Sequence, residues 1–246
     1  MTHRVSEATK LRQHRGLGHG AAYIPWIFTS EVPGHKGTHH NPVDWKTGRT
    51  VHLLSEGELY LYQMLRWDDN VRDIREQFPV PIEATYEISQ KYKGFRHPRD
   101  NEGLIHMTVD LLVDYYDGMQ RAFSVKVSRS DFEKHPNQIK HEYIMKEYWE
   151  GQEKSEFHMV FTNEMNRNYA DNIGQVVFYW QPNTVTDKVS LFKFLVAHKQ
   201  IKIDMESGPV DALDFYNLAN QYIPDSDTEL LIKKIKDIPK MLPTKN

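Results

Sequence analysis

"HMTVDLLVDYYDGMQRAFSVKVS", His106 to Ser128, places apolar residues at strand spacing on either side of Asp117-Gly118. That is the mark of two antiparallel strands joined by a tight turn. Two charges, Asp110 and Lys126, stand in the middle of those strands. An isolated charge taken out of water costs on the order of several kcal/mol, so buried carboxylates and ammoniums are paired, metal-bound or catalytic. Opposed residues of a hairpin have numbers that sum to a constant, so Asp110 faces Lys126 only across a loop of odd length. A three-residue loop, Asp117-Gly118-Met119, with Gly118 left-handed, meets that condition, and a two-residue loop breaks it. On the hairpin alone, a structural cross-strand ion pair explains the two charges as well as a catalytic pair does.

Working outward, "HLLSEGELYLYQMLRW" carries Leu59, Tyr62 and Leu65 at helical spacing. Ser55 stands three residues before Glu58, a capping-box signature for a helix start. "VRDIREQFPVPI" reads as a strand ending at prolines, "QIKHEYIMKEYWEGQ" as a helix and "EFHMVFTNE" as a further strand. Helix, strands, helix and strand predict a small α/β domain with a mixed sheet. Residues 1 to about 50 are rich in Gly, His and Pro, lean basic, and read as an extended arm holding one aromatic stretch, "AAYIPWIF". The pattern changes around "NRNYADNIGQVVFYWQPNTVT", which divides the chain into residues 1–170 and 171–246. In the second part, "TDKVSLFKFLVAHKQ", "PVDALDFYNLANQYI" and "DTELLIKKIKDIPKML" read as helices and "IKIDM" as a short strand, a winged-helix-like set. Thr186 or Asp187 suits the cap of the first helix, and Pro209 the first turn of the second. "VVFYW" reads as packing rather than base stacking, and "LIKKIKDIPK" as a solvated helix face.

The chain of 246 residues, 39% of them hydrophobic, is long enough to bury a substantial core. Its net charge of −3 neither advertises nor excludes nucleic acid. No apolar run approaches the roughly 18–20 residues that span a bilayer, and "MTHRVSEATKLRQHRG" lacks an apolar signal core, so the expectation is a cytoplasmic protein with no membrane partner. With no cysteine, a metal must be held by carboxylate, carbonyl or imidazole, and hard oxygen ligands favour Mg²⁺ or Mn²⁺.

Phosphodiester hydrolysis needs an activated water, stabilisation of charge on the phosphate and help for the leaving oxygen. Glu58 on a helix, Asp110 on a strand and Lys126 on the next strand follow the order of the PD-(D/E)xK nuclease core. Alone, that order is weak evidence. Glu58 belongs to a capping box whether or not it binds metal, with Glu56 as the neighbouring acid. "DWKTGRTVHLLSEGELYLYQMLRW", "NVRDIREQFPV", "YKGFRHPR", "HMTVDLLVDY" and "FSVKVSRSDF" then occur in one order. Together they resemble the TnsA family, the endonuclease subunits of heteromeric transposases, most strongly over roughly residues 44 to 170.

The resemblance implies a restriction-endonuclease-like fold and a Mg²⁺-dependent DNA endonuclease, with Mn²⁺ able to substitute, that cuts the 5′ ends of a bacterial transposon. Its implied partners are transposon-end DNA, an integrase-like transposase of the TnsB type and an AAA+ ATPase of the TnsC type. Carried over by motif, Glu58 and Asp110 ligate the metal, Val125 offers its carbonyl, and Lys126 is the active-site lysine. Where the core expects Asp, Glu or Gln two residues before the lysine, this chain has Ser124, a shorter ligand. A stand-alone nuclease of the same core and a non-catalytic assembly subunit are the alternative readings. Gln77 and His97 fall in motif-like runs and are expected to line or shape a DNA cleft. Asp114 is expected to be solvated near its strand end, and "GHKGTHH" (His35, His39, His40) to be a surface loop rather than a metal site.

Overall fold

The computed structural model describes residues 5–32 and 39–238. A short helix, α1 (Glu7–Arg12), is capped by Ser6. α2 (Glu56–Trp67) starts where the capping box predicts, with the Ser55 hydroxyl accepting from the Glu58 N–H. Next along the chain are β1 (Val71–Val80), α3 (Ile82–Lys91), β2 (Met107–Tyr115), β3 (Gln120–Lys126), a single turn α4 (Arg129–Phe132), α5 (Pro136–Glu150) and β4 (Ser155–Phe161). The sheet order is β1-β2-β3-β4. β1, β2 and β3 pair antiparallel and β4 lies parallel to β3, the arrangement that a helical crossover through α5 allows. The mixed sheet expected of the sequence is therefore present, and it is compatible with a nuclease fold.

Pro79 is tolerated inside β1 because β1 is an edge strand, where a missing N–H breaks no inner ladder. At the sheet centre Leu111, Leu112 and Val113 are all 0–1% exposed, so both faces of β2 are covered. One core cluster joins Val80, Val109, Leu112, Ala122, Ile144 and Trp149, bringing α5 against the strands. α3 was not expected. The prolines at 79 and 81 read as a stop, and its buried stripe contains the polar Thr85 and Ser89 alongside Ile88.

The hairpin loop has the expected length but lies one residue earlier, as Tyr116-Asp117-Gly118. Tyr115 N–H donates to Met119 O at 2.9 Å, Gly118 N–H donates back to Tyr115 O at 3.1 Å, and Gly118 has φ +86°. The register pairs Leu111 with Phe123 and Asp114 with Gln120. Continued, it sets Ser124 rather than Lys126 across from Asp110. Parity is unchanged, so Asp110, Ser124 and Lys126 still share a pleat face.

The N-terminal segment is not an open arm. Trp26 and Tyr23 are 1% and 2% exposed, and Arg15 forks onto Glu31 at 2.7 and 2.6 Å. Trp26 N–H donates to Gln77 O and the Tyr23 hydroxyl to Glu76 O. An edge strand leaves backbone groups to be covered, and the aromatic stretch covers those of β1.

The chain divides into two compact units, one containing Arg49–Met165 with the N-terminal segment, the other running from Asn166 onward together with Asp44–Gly48. The second carries α6 (Arg167–Val177), α7 (Lys188–Ala197), α8 (Ala212–Tyr222) and α9 (Asp225–Lys236). Asp187 caps α7 as expected, while α8 is capped by Asp211 two residues beyond Pro209. Among the described residues this unit has no strand. "IKIDM" runs as a loop because the buried Asn172 ties its end and the next few residues to α6, donating to Met205 O and Gly208 O and accepting from Val210 N–H. In "VVFYW", Val176 is fully buried and Phe178 is 71% exposed. No helix among the described residues is long and apolar enough to cross a membrane.

Candidate functional site

The first turn of α2 delivers Glu58 to the sheet because Gly57 lets it come close. A Cβ on Gly57 would lie 2.0 Å from Thr162 Oγ1 and 2.9 Å from Val125 Cγ1. Glu58 is 5% exposed. Its carboxylate accepts from Leu54 N–H at 2.8 Å, the Ser55 hydroxyl at 3.0 Å and Gln77 Nε2 at 3.2 Å. The cap and the buried carboxylate are thus one residue in both roles. Burial, and then the like charge of Asp110, push its pKa up to about 8 against the pull of these hydrogen bonds.

Gln77 supplies the link between the strands. It is 2% exposed and has φ +48°, a left-handed conformation costly for a side chain this size. Trp26 N–H on its carbonyl secures that backbone. Its amide donates to Glu58 at 3.2 Å and helps to hold down the pKa of Asp110. A single neutral group therefore acts on two carboxylates.

Asp110, on β2, accepts the Val125 N–H at 2.6 Å. Burial raises its pKa, with the charge of Lys126 and the Val125 N–H pulling the other way. Lys126, at the end of β3, pairs with Glu142 Oε1 at 2.7 Å and donates to Ser124 Oγ at 2.8 Å. Burial works against its charge, but Asp110 and Glu142 outweigh it and hold the ammonium pKa above the usual range. Ser124, 5% exposed, serves here as a rest for the lysine.

Glu142, on α5, was missed by the sequence reading. Its Oε2 is buried with no hydrogen-bond partner. It stands three and seven residues before the buried Met145 and Trp149, so an acid on the apolar stripe of the helix was the signal available.

The structure thus gathers Glu58, Gln77, Asp110, Ser124, Val125 and Lys126. His97 takes no part in this bonding. It contacts Thr85 Oγ1 at 2.8 Å and Pro98 O at 3.0 Å, and burial lowers its pKa. Glu56 accepts the Tyr60 hydroxyl at 2.7 Å. Asp114 corrects the expectation of a solvated strand end. It is 2% exposed, with Arg75 Nη2 2.9 Å from both its oxygens and Gln120 Nε2 at 2.7 Å. His19, Asp73 and Asp114 have ligand atoms within 4.8 Å of one another, the one such metal-competent group among the described residues, but Arg75 already occupies Asp114. His35 lies outside the described residues, and the backbone of His40 forms a bridge with Leu53.

No family model matches the chain. The sequence is 34% identical over 187 residues to the transposon Tn7 transposition protein TnsA of Escherichia coli, an alignment covering 76% of this chain. The chain spans 65% of that relative's length.

Proposed function

We propose, from its likeness to TnsA, that this chain is a TnsA-type protein, the DNA endonuclease subunit of a heteromeric transposase, cutting the 5′ ends of its transposon. The observation that carries this reading is a pair of buried carboxylates, Glu58 and Asp110, close enough to feel each other's charge and both acted on by the Gln77 amide, with no arginine or lysine at ion-pair distance among the described residues, beside a lysine held by other groups. Two acids whose pKa values are raised chiefly by burial fit a divalent cation. Their hard oxygens suit Mg²⁺, with Mn²⁺ as substitute. Glu58, Asp110 and the carbonyl of Val125 would hold it. When bound, such an ion supplies the positive charge that polarises a phosphate and acidifies an attacking water.

The remaining chemistry belongs to the chain. Lys126 is kept charged by Glu142 and aimed by Ser124, so its part is to neutralise charge developing on the phosphate rather than to take a proton. Gln77 fixes the separation of the two carboxylates, and Ser55 and Leu54 fix the rotation of Glu58. The partners implied by the reading are transposon-end DNA, an integrase-like transposase that cuts the 3′ ends, and an AAA+ ATPase. The helical unit from α6 to α9, read as winged-helix-like, is assigned to partner docking.

The test is strand-mapped cleavage of transposon-end DNA in Mg²⁺ with the cognate transposase and ATPase. Wild type should give 5′-strand cuts. Asp110→Ala and Lys126→Ala should lose them while 3′-strand cuts persist. Variants that still cut the 5′ strand overturn the assignment.

A further inference from the structure

The loop after α3 and the start of α5 enclose a small cavity of about 160 Å³, lined by Arg96, His97, Pro98, Asn137, Lys140 and His141. No acid lines it. The guanidinium of Arg96, the ring of His141 and the carboxamide of Asn137 have no hydrogen-bond or ion-pair partner among the described residues. Lys140 spends one N–H on Gly94 O at 2.9 Å and keeps two. His97 has both ring nitrogens engaged and serves as wall rather than donor. α5 begins here with Pro136, and its cap residue His135 makes no side-chain cap hydrogen bond, being turned toward Asp131 at 3.8 Å, so the positive end of the helix dipole adds to the field. Surface cations in a folded protein are commonly met by nearby acids. Four donors converging on one concavity without an acid describe a seat for an anion.

We propose that this cavity binds a non-scissile phosphodiester of the DNA backbone, held by Arg96 and His141 with Lys140 and Asn137 in support. The proposal rests on the nuclease reading above for the identity of the anion's carrier. His141 directly precedes Glu142, whose carboxylate holds Lys126. A phosphate gripped here sets the register of the duplex along α5 relative to the carboxylates. Phosphate contacts position a protein on DNA without reading sequence, so the site acts on any duplex.

The test measures binding of the full chain to a short duplex of arbitrary sequence across a salt series, for wild type, Arg96→Gln, His141→Gln, the double variant, Arg96→Lys and Asp110→Asn. Neutralising one phosphate contributes about 0.9 to the slope of log K against log salt. Arg96→Gln should lower that slope by up to about 0.9, His141→Gln should weaken binding through its lost hydrogen bond, and the double variant should lose no more than about 0.9 in all, because both residues hold the same phosphate. Arg96→Lys should keep the slope, which separates lost charge from lost fold. Asp110→Asn should keep the slope and lose cleavage. An unchanged slope in Arg96→Gln and unchanged affinity in His141→Gln, with cleavage still dependent on Asp110, overturn this site and leave the nuclease reading standing. Cleavage that survives in Asp110→Asn fails the nuclease reading instead. In a second arm, inorganic phosphate is titrated at constant ionic strength while the His141 ring is followed by NMR. A response there with unchanged duplex slopes identifies a free-anion site and overturns the backbone assignment.

Discussion

Asp110 and Asp114 stand four residues apart on β2, on the same pleat face, yet they meet opposite fates. Asp114 is locked by Arg75 and Gln120. A few residues along β1, Glu76 is locked in the same manner, gripped by Arg49 at 2.6 and 2.7 Å and by the His52 N–H. Asp110 and Glu58 have only neutral donors at hydrogen-bond distance, with Lys126 turned toward Glu142. The fold clearly has arginines to spare for buried carboxylates, and it withholds them at one place. The candidate site is marked by the missing counter-charge rather than by the acids.

The sharpest way to break this comparison is to neutralise each aspartate in turn. Asp110→Asn should lower 5′-strand cleavage by about three orders of magnitude or more, some 4 kcal/mol of transition-state stabilisation, with no loss of thermal stability. Asp114→Asn should lose stability first and activity only as folded protein is lost. If the two variants behave alike in paired melting and cleavage assays, the distinction drawn between them is wrong.

Arg75→Met strands Asp114 in the core and should cost about 3 kcal/mol in urea unfolding, since removing one partner of a buried pair leaves an uncompensated charge.

Glu58→Gln sharpens the contrast through pH. A carboxyl whose pKa is about 8 in the folded chain, against an ordinary 4.5, keeps a proton that the unfolded chain has released. Stability therefore falls as pH rises between those values, on the order of one kcal/mol per pH unit at the steepest. In chelator, Glu58→Gln should match wild type near pH 4 and be the more stable protein by pH 8, as urea midpoints at the two pH values would reveal. A divalent ion should erase that advantage.

The smallest effect belongs to Gln77→Gly. Relief of a left-handed φ gains about 1 kcal/mol, and loss of the bridging amide costs about as much, so stability should barely move. Cleavage should fall roughly tenfold, about 1.4 kcal/mol, because the separation of the carboxylates is no longer fixed. Unchanged single-turnover rates would remove Gln77 from the site.

Distance along the chain separates the legible features from the hidden ones. Ser55 with Glu58 and Gly118 in its turn are signals within a few residues, and the parity that puts Asp110 and Lys126 on one face follows from that one turn, so all were readable. Arg75 with Asp114 spans 39 positions and Arg49 with Glu76 spans 27. No local pattern announces such pairs, so Asp114 looked solvated. Glu142 was hidden among the other acids of its helix, Glu147 and Glu150. The "IKIDM" alternation suggested a strand, but a strand needs a neighbour, and Asn172 ties down its last residue as a loop. The N-terminal segment looked open because its burial is provided by an edge strand some fifty residues away.

Gly57 sets a tolerance for the whole site. With Thr162 Oγ1 only 2.0 Å from where its Cβ would sit, and the same hydroxyl donating to Lys126 O at 3.2 Å, one added methyl group would act as a shim. It would lift the helix that carries Glu58 and loosen the strand that carries Lys126 in a single displacement. Alignment of the candidate site is gauged by a hydrogen atom, which makes position 57 a throttle: a place where the proposed nuclease can be detuned while every candidate group stays as it is.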